Sequence, residues 1–167
     1  MNAQRSASGS TDAVLSSSTL SRLATQLDNL ALILGDATPE ALGRRPSSGK
    51  WSAHEHLAHL GRHQQVFLER MARIVREDEP PLGSYRAEQD PEWPAWQALP
   101  LDEVVARLRH GRRELLSFLA SLQPEHSARV GTHPVFGRMS IPVWIEFFLV
   151  HAAHHLYAVM KLARGGA

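Results

Sequence analysis

An all-α fold, a four-helix bundle with a long crossover connection between its second and third helices, follows from three observations on the sequence. Four segments repeat apolar residues at steps of three and four. Stretches rich in proline and glycine separate them, and no segment alternates apolar and polar residues as a half-buried strand does. A length of 167 residues suits one domain, and a hydrophobic content of 43% is enough for a core without metal or disulfide support.

The first 17 residues, rich in Ser and Ala, are expected to form a disordered tail ahead of a single domain at 18–167. The first helix carries the stripe Leu20, Leu23, Leu27, Leu30 and Leu34. Thr38, Pro39, Gly43, Pro46 and Gly49 then mark a linker. The second helix opens with a capping box, Ser52 with Glu55 three residues later, and Trp51 stands just before the cap. Its stripe runs Leu57, Leu60, Gln64, Phe67, Met71, Ile74, Val75. Residues 80–100 hold five prolines, a glycine and two tryptophans, which rules out one regular helix and makes this the crossover. The third helix begins near Asp102 and shows Val105, Leu108, Leu115, Phe118, Leu119 and Leu122. After a connection over 123–139, Ser140 caps a fourth helix that tolerates Pro142 in its first turn and ends near Arg164, before Gly165 and Gly166.

Composition excludes several classes of function. With 18 basic and 17 acidic side chains the formal charge is +1, and no basic stripe is interleaved with aromatics, so no nucleic-acid partner is expected. The absence of cysteine removes a disulfide scaffold, a zinc-thiolate site and a cysteine nucleophile. Gly-rich phosphate loops and nucleophile-elbow serines are also missing. Residues 141–160 are long and apolar enough to cross a bilayer, yet Pro142, Glu146, His151, His154 and His155 are costly in hydrocarbon. A buried bundle helix of a cytoplasmic protein, with no membrane partner, is the expectation.

What stands out is histidine: ten residues, concentrated in two short clusters. The first is His54, His56, His59 and His63. It is not the zinc-protease HExxH helix, because four residues after His54 stands Ala58. The second offers His151 and His155 at i and i+4 inside an apolar helix, a spacing at which two imidazoles can hold one metal ion. Facing helices of a bundle supply shared ligands. The second helix therefore contributes a third ligand, and periodicity leaves His56, His59 and His63 all open, with His56 and His63 nearer the apolar stripe.

Lys50, Trp51 and Ser52, then Glu55, then His59 and Leu60, resemble the kWS-x-x-E-x-x-x-HL signature of the DinB/YfiT superfamily. Residues 133–141, followed by His151 and His155, look like that family's last connection and fourth helix, and Arg112 or Arg113 falls where such proteins tend to carry an arginine. The resemblance covers roughly residues 18–164. It implies a bundle with a divalent metal held by His59, His151 and His155, and it is the resemblance that selects His59. It further implies activities such as transfer of a low-molecular-weight thiol, a link to stress response, and homodimers.

The chemistry is consistent with that implication. Three neutral imidazoles suit zinc or nickel, and also iron, copper or manganese. Three protein ligands leave a position open, as catalytic sites do, where a water or thiol loses its proton near neutral pH. A thiol cosubstrate would bring the sulfur this chain lacks. The expected function is thus a metal-dependent thiol S-transferase acting on small electrophiles in detoxification. A metal-dependent hydrolase, or a non-catalytic bundle with a structural or vestigial site, are the alternatives. Glu146 is a candidate general base or an exterior ion pair, and His63 could orient a ligand. His154 reads as a solvated or dimer-face residue. Tyr85, Trp93 and Trp96 could wall a pocket or anchor the crossover. Arg112 and Arg113 could receive an anionic substrate.

Overall fold

The computed structural model describes residues 14–166. Most of the expected tail lies outside that range, but Leu15 is buried in the core and Ser16 caps the first helix, so the folded part begins earlier than composition suggested. The first bundle helix is in two pieces, α1 (Ser17–Thr25) and α2 (Leu30–Leu34). Leu23, Leu27 and Leu30 remain buried across the break, whereas Leu20 is exposed. The break has a physical cause in the third bundle helix. The Arg112 guanidinium donates to the Leu23 carbonyl over 2.7 Å and to Gln26 Oε1 over 3.2 Å. A cation on the last carbonyls of α1 acts as a C-terminal cap.

The linker contains one short turn of helix, α3 (Pro39–Gly43), with Thr38 as N-cap. The long central helix α4 (Ala53–Arg76) starts at the capping box: Ser52 Oγ accepts from the Glu55 amide and Glu55 Oε2 accepts from the Ser52 amide. It ends at Arg76, with Glu77 extended as its C-cap, and Glu79 takes φ 42° ahead of Pro80. The crossover is not structureless, since it holds a 3-10 turn at Ala87–Gln89 and the helix α5 (Trp93–Ala98). Helix α6 (Leu101–Ala120) and helix α7 (Ile141–Ala163) complete the bundle, both packed on α4. Gly165 closes α7 at φ 75°, and the Gly166 amide reaches back to the Lys161 carbonyl.

The connection before α7 departs from the all-helical expectation. A 3-10 turn at Pro124–Ala128 leads into an antiparallel hairpin, β1 (Val130–His133) with β2 (Gly137–Ser140), in the register Val130 to Ser140 and His133 to Gly137. Its inward positions are Gly131, His133 and Met139, of which only one is a large apolar residue, so no period-2 hydrophobic signal exists. Gly131 is required by packing, because a Cβ there would meet Ile74 and Leu82 at 2.8 and 2.9 Å.

The core divides into two apolar halves. One gathers Leu57, Leu60, Trp93, Trp96, Leu108 and Leu156; the other gathers Phe67, Met71, Leu115, Trp144, Ile145 and Phe148. Between them runs a polar layer with His63 and Gln64 from α4, Arg112 from α6 and His151 from α7. Arg112 donates to Gln64 Oε1 over 2.7 Å and lies over the Phe148 ring at 5.2 Å. Helix α7 is long and apolar enough to span a membrane, and here nine of its residues, including Trp144, Phe148, Ala152 and Val159, are buried in the bundle.

Candidate metal centre

Helices α4 and α7 bring His59, His151 and His155 together. His151 Nε2 lies 3.2 Å from His59 Nε2 and 3.2 Å from His155 Nε2, and the three ligand atoms all fall within 4.8 Å of one another. His151 and His155 share a face because they are one helical turn apart on α7. His59 joins them although it sits off the apolar stripe, because residues 57–61 of α4 are buried on every side. The crossover covers the flank a simple bundle would expose: Trp96 packs so closely on Gly61 that a Cβ there would lie 2.3 Å from the indole.

The donor set fits a metal ion. A neutral imidazole nitrogen carries either one hydrogen or one lone pair. His151 Nε2 therefore cannot satisfy both of its 3.2 Å neighbours, whereas a cation among the three nitrogens accepts all three lone pairs. Burial, reinforced by neighbouring histidines, lowers the pKa of His59 to about 3, of His151 to about 4 and of His155 to about 2. All three rings are neutral at pH 7, the state in which imidazole binds metal. In the tautomer that presents Nε2 lone pairs, the Nδ1 hydrogens face outward. His155 Nδ1 meets His56 Nδ1 at 2.8 Å, while the buried Nδ1 atoms of His59 and His151 have no hydrogen-bond partner.

Ring packing holds the two rings that lack such a bond. Trp51 lies over the cluster, with centroids 5.0 Å from His59 and 6.1 Å from His155. Tyr85 stacks on His59 at 5.5 Å and packs tilted against His63 at 5.4 Å, and its hydroxyl donates to Asp90. His63 is buried against His151 at 4.2 Å and Phe148 at 5.9 Å. A cleft of about 660 Å³ lies beside the cluster, walled by Trp51, His56 and Trp93 and rimmed by Arg45, Lys50, Glu88 and Gln97.

The other candidates from the sequence separate cleanly. Glu146 is ion-paired with Arg22 at 2.5 Å and accepts from Thr19, on the outer side of α7. His154 is exposed, and His54 Nε2 contacts the Leu99 carbonyl at 2.9 Å. Trp93 lines the cleft and contacts Trp51 at 5.2 Å, while Trp96 is a packing anchor. Arg112 is 4% exposed, engaged by Gln64, Leu23 and Gln26, and lowered by burial to about 10. It is a structural cap and not a substrate receiver, while Arg113 is exposed. The bond from His56 to His155 and the place of Trp51 over the cluster were not assigned from sequence. The only signal for either was adjacency to the capping box and to His59.

Comparisons with known proteins agree with this architecture. The sequence model described as the DinB superfamily matches residues 22–159. The uncharacterized protein YuaE of Bacillus subtilis (strain 168) is 31% identical over 135 residues, covering 74% of this chain and 83% of YuaE. Among solved structures, YfiT from Bacillus subtilis, described as a probable metal-dependent hydrolase with an unusual four-helix bundle topology, superposes with a TM-score of 0.75 at 16% identity, over 99% of this chain and 95% of YfiT. TT2238, a four-helix bundle protein, gives a TM-score of 0.61 at 25% identity, covering 85% and 94% of the two chains.

Proposed function

Because the chain belongs to the DinB superfamily, we propose that it is a metal-dependent enzyme of small-molecule chemistry, with a divalent ion held by His59, His151 and His155. The observation that carries this reading is the convergence of three neutral Nε2 atoms on one point, an arrangement that their own hydrogen bonds cannot satisfy. An ion held by three imidazoles keeps a position open and acidifies a water or thiol placed there. Imidazole donors without thiolate or carboxylate favour zinc or nickel, then iron, copper or manganese. The aromatic cleft beside the cluster has the size of a small-molecule site.

The reaction we propose is transfer of a low-molecular-weight thiol to a small electrophile, in the cytoplasm, as detoxification or stress defence. Its support is the open position expected of an ion held by three imidazoles, beside a cleft of small-molecule size. Glu55, although burial pushes its pKa up, is held down at about 2 by Arg45, the Ser52 backbone and Gln97. Asp90 is engaged by Arg62 and Tyr85, and Glu146 by Arg22 and Thr19. Hydrolysis calls for a base that takes a proton from water and returns it to the leaving group. Glu88, exposed at the rim of the cleft, is a carboxylate without a partner among the described residues and could take that role. Metal-dependent hydrolysis is the second reading, favoured by the description of YfiT, whose fold this chain shares.

Metal content of protein purified without chelator is the test, on wild type and on His59→Ala, His151→Ala and His155→Ala. About one ion per chain, lost in each variant, is the expected result. Conjugation of a small thiol to a chloro-dinitrobenzene and hydrolysis of a nitrophenyl ester then separate the two reactions. A wild-type chain that takes up no divalent ion under loading removes the mechanism from both.

A homodimer belongs to the same proposal. Val143, Val150 and Tyr157 are 49%, 68% and 59% exposed and recur every seven residues along α7. Two copies of α7 packed antiparallel about Val150 would set Val143 of each against Tyr157 of the other, the self-complementary pattern a two-fold contact requires.

A further inference from the structure

A second cleft, of about 440 Å³, lies on the other side of Tyr85, between α4 and the crossover residues 82–91. Four arginines line it: Arg62, Arg70, Arg73 and Arg86. Two are neutralised, Arg62 by Asp90 at 2.7 Å and Arg73 by Glu77 at 2.8 Å. Arg70 is different. It is half-buried, and its guanidinium donates to the Gly83 carbonyl and to no carboxylate among the described residues. Burial pulls its pKa below the usual arginine value, with neighbouring Arg73 acting in the same direction and Tyr85 opposing. A guanidinium taken partly out of water without a counter-charge is costly, and its planar fork matches the two oxygens of a carboxylate or phosphate. Arg86, exposed at the rim, also lacks an ion pair among the described residues, and Glu69 is the one lining carboxylate left without a partner.

The cleft is joined to the histidine cluster by one ring. Tyr85 lines it and also packs against His59 and His63. Arg70 lies seven residues after His63 on α4, about 10 Å along the axis at the helical rise, and helical side chains lean back toward the N-terminus. An anion on Arg70 would therefore stand within a small molecule's length of His59 and His151.

We propose that this cleft is an oxyanion site in which Arg70, with Arg86 at the rim, binds the carboxylate or phosphate group of a small molecule. That this molecule is the substrate, reaching past Tyr85, rests on the metal-enzyme reading; the anion site itself does not.

Calorimetric titration of the full-length, metal-stripped protein with inorganic phosphate and with acetate, at fixed ionic strength, tests the site without interference from anion binding to metal. Saturable binding of at least one of them is expected, and the two titrations tell phosphate from carboxylate. Arg70→Gln keeps a donor for the Gly83 carbonyl but removes the charge, and should weaken binding at least about tenfold, the loss of one charge-assisted contact. Arg109→Gln, an exposed position on α6, should leave it unchanged. In unsubstituted protein, phosphate or acetate should also slow modification of Arg70 by phenylglyoxal, read by mass spectrometry, which needs no variant to fold. Absence of saturable binding, equal binding by Arg70→Gln, an equal loss in Arg109→Gln, or no protection of Arg70 overturns the proposal. Zinc uptake by the same samples separates failure of this site from failure of the metal centre.

Discussion

The Nδ1 atoms of His56 and His155 lie 2.8 Å apart, so one of these rings lends its hydrogen to the other. If His155 is the donor, its Nε2 lone pair faces His59 and His151; if His56 is the donor, His155 carries its hydrogen into the cluster and blocks a ligand position. Metal binding thus selects the tautomer with His56 as acceptor, and His56 fixes the orientation of His155. His56→Ala is expected to weaken metal affinity roughly 10- to 100-fold while leaving the stoichiometry at one. Competition against a chromogenic chelator measures this, and an unchanged affinity would remove His56 from the site.

Metal-free protein should lose stability on the acid side of neutrality. His59, His151 and His155 titrate at about 3, 4 and 2 when folded, against 6.5 when the chain is unfolded. A folded pKa depressed below the unfolded value means the unfolded chain binds protons first. The stability is therefore present above pH 6.5 and falls as pH drops toward 4 and below, by up to about 1.4 kcal/mol per pH unit for each such imidazole. Urea denaturation between pH 7.5 and 5 reads the slope, and His59→Phe, which cannot take up that proton, should flatten it.

These histidines also mark how far the sequence could be read. The i, i+4 pair His151 and His155 was legible because both stand on one uninterrupted helix whose faces follow from period alone. The third position, His59, followed from the family resemblance and not from period, since His59 is covered by Trp51, Tyr85 and Trp93, two of which come from the crossover. The bundle and its crossover were legible in the leucine stripes and the prolines. The split of the first helix was hidden because its cause, Arg112, lies on a different element. The hairpin was hidden because Gly131 and His133 occupy inward positions where a strand signal needs large apolar side chains.

Gly61→Ala should destabilise the fold by about 1–3 kcal/mol, the range for forcing a methyl group into a filled space. The Cβ would stand 2.3 Å from the indole of Trp96, and α5 would have to lift. Since α5 also carries Trp93 into the cleft, the variant should show altered tryptophan fluorescence along with its lowered urea midpoint. A midpoint equal to wild type would mean that the crossover moves aside at no cost.

Arg112→Met should cost about 2 kcal/mol or more, because it strips a charge-assisted donor from the Leu23 carbonyl and from Gln64 while only the methionine's apolar stem is retained. Arg112→Lys should not restore the loss, since one ammonium cannot span Gln64, Leu23 and Gln26 in a planar fork. Equilibrium unfolding of both variants is the check. Phosphate binding should stay at the wild-type level in each, in contrast to Arg70→Gln.

The exposed stripe on α7 gives the oligomer prediction its sign. Val150 sits at the centre of the proposed two-fold contact and is 68% exposed, so Val150→Glu leaves the monomer's own core intact while placing two carboxylates against each other across the axis. Sedimentation should report a dimer for wild type and a monomer for Val150→Glu. Because His59, His151 and His155 all come from one chain, the monomeric variant should still take up one metal ion. A wild-type monomer would assign the stripe no partner copy, and loss of metal on dissociation would mean that the dimer shapes α7 around His151, one residue along the helix from Val150.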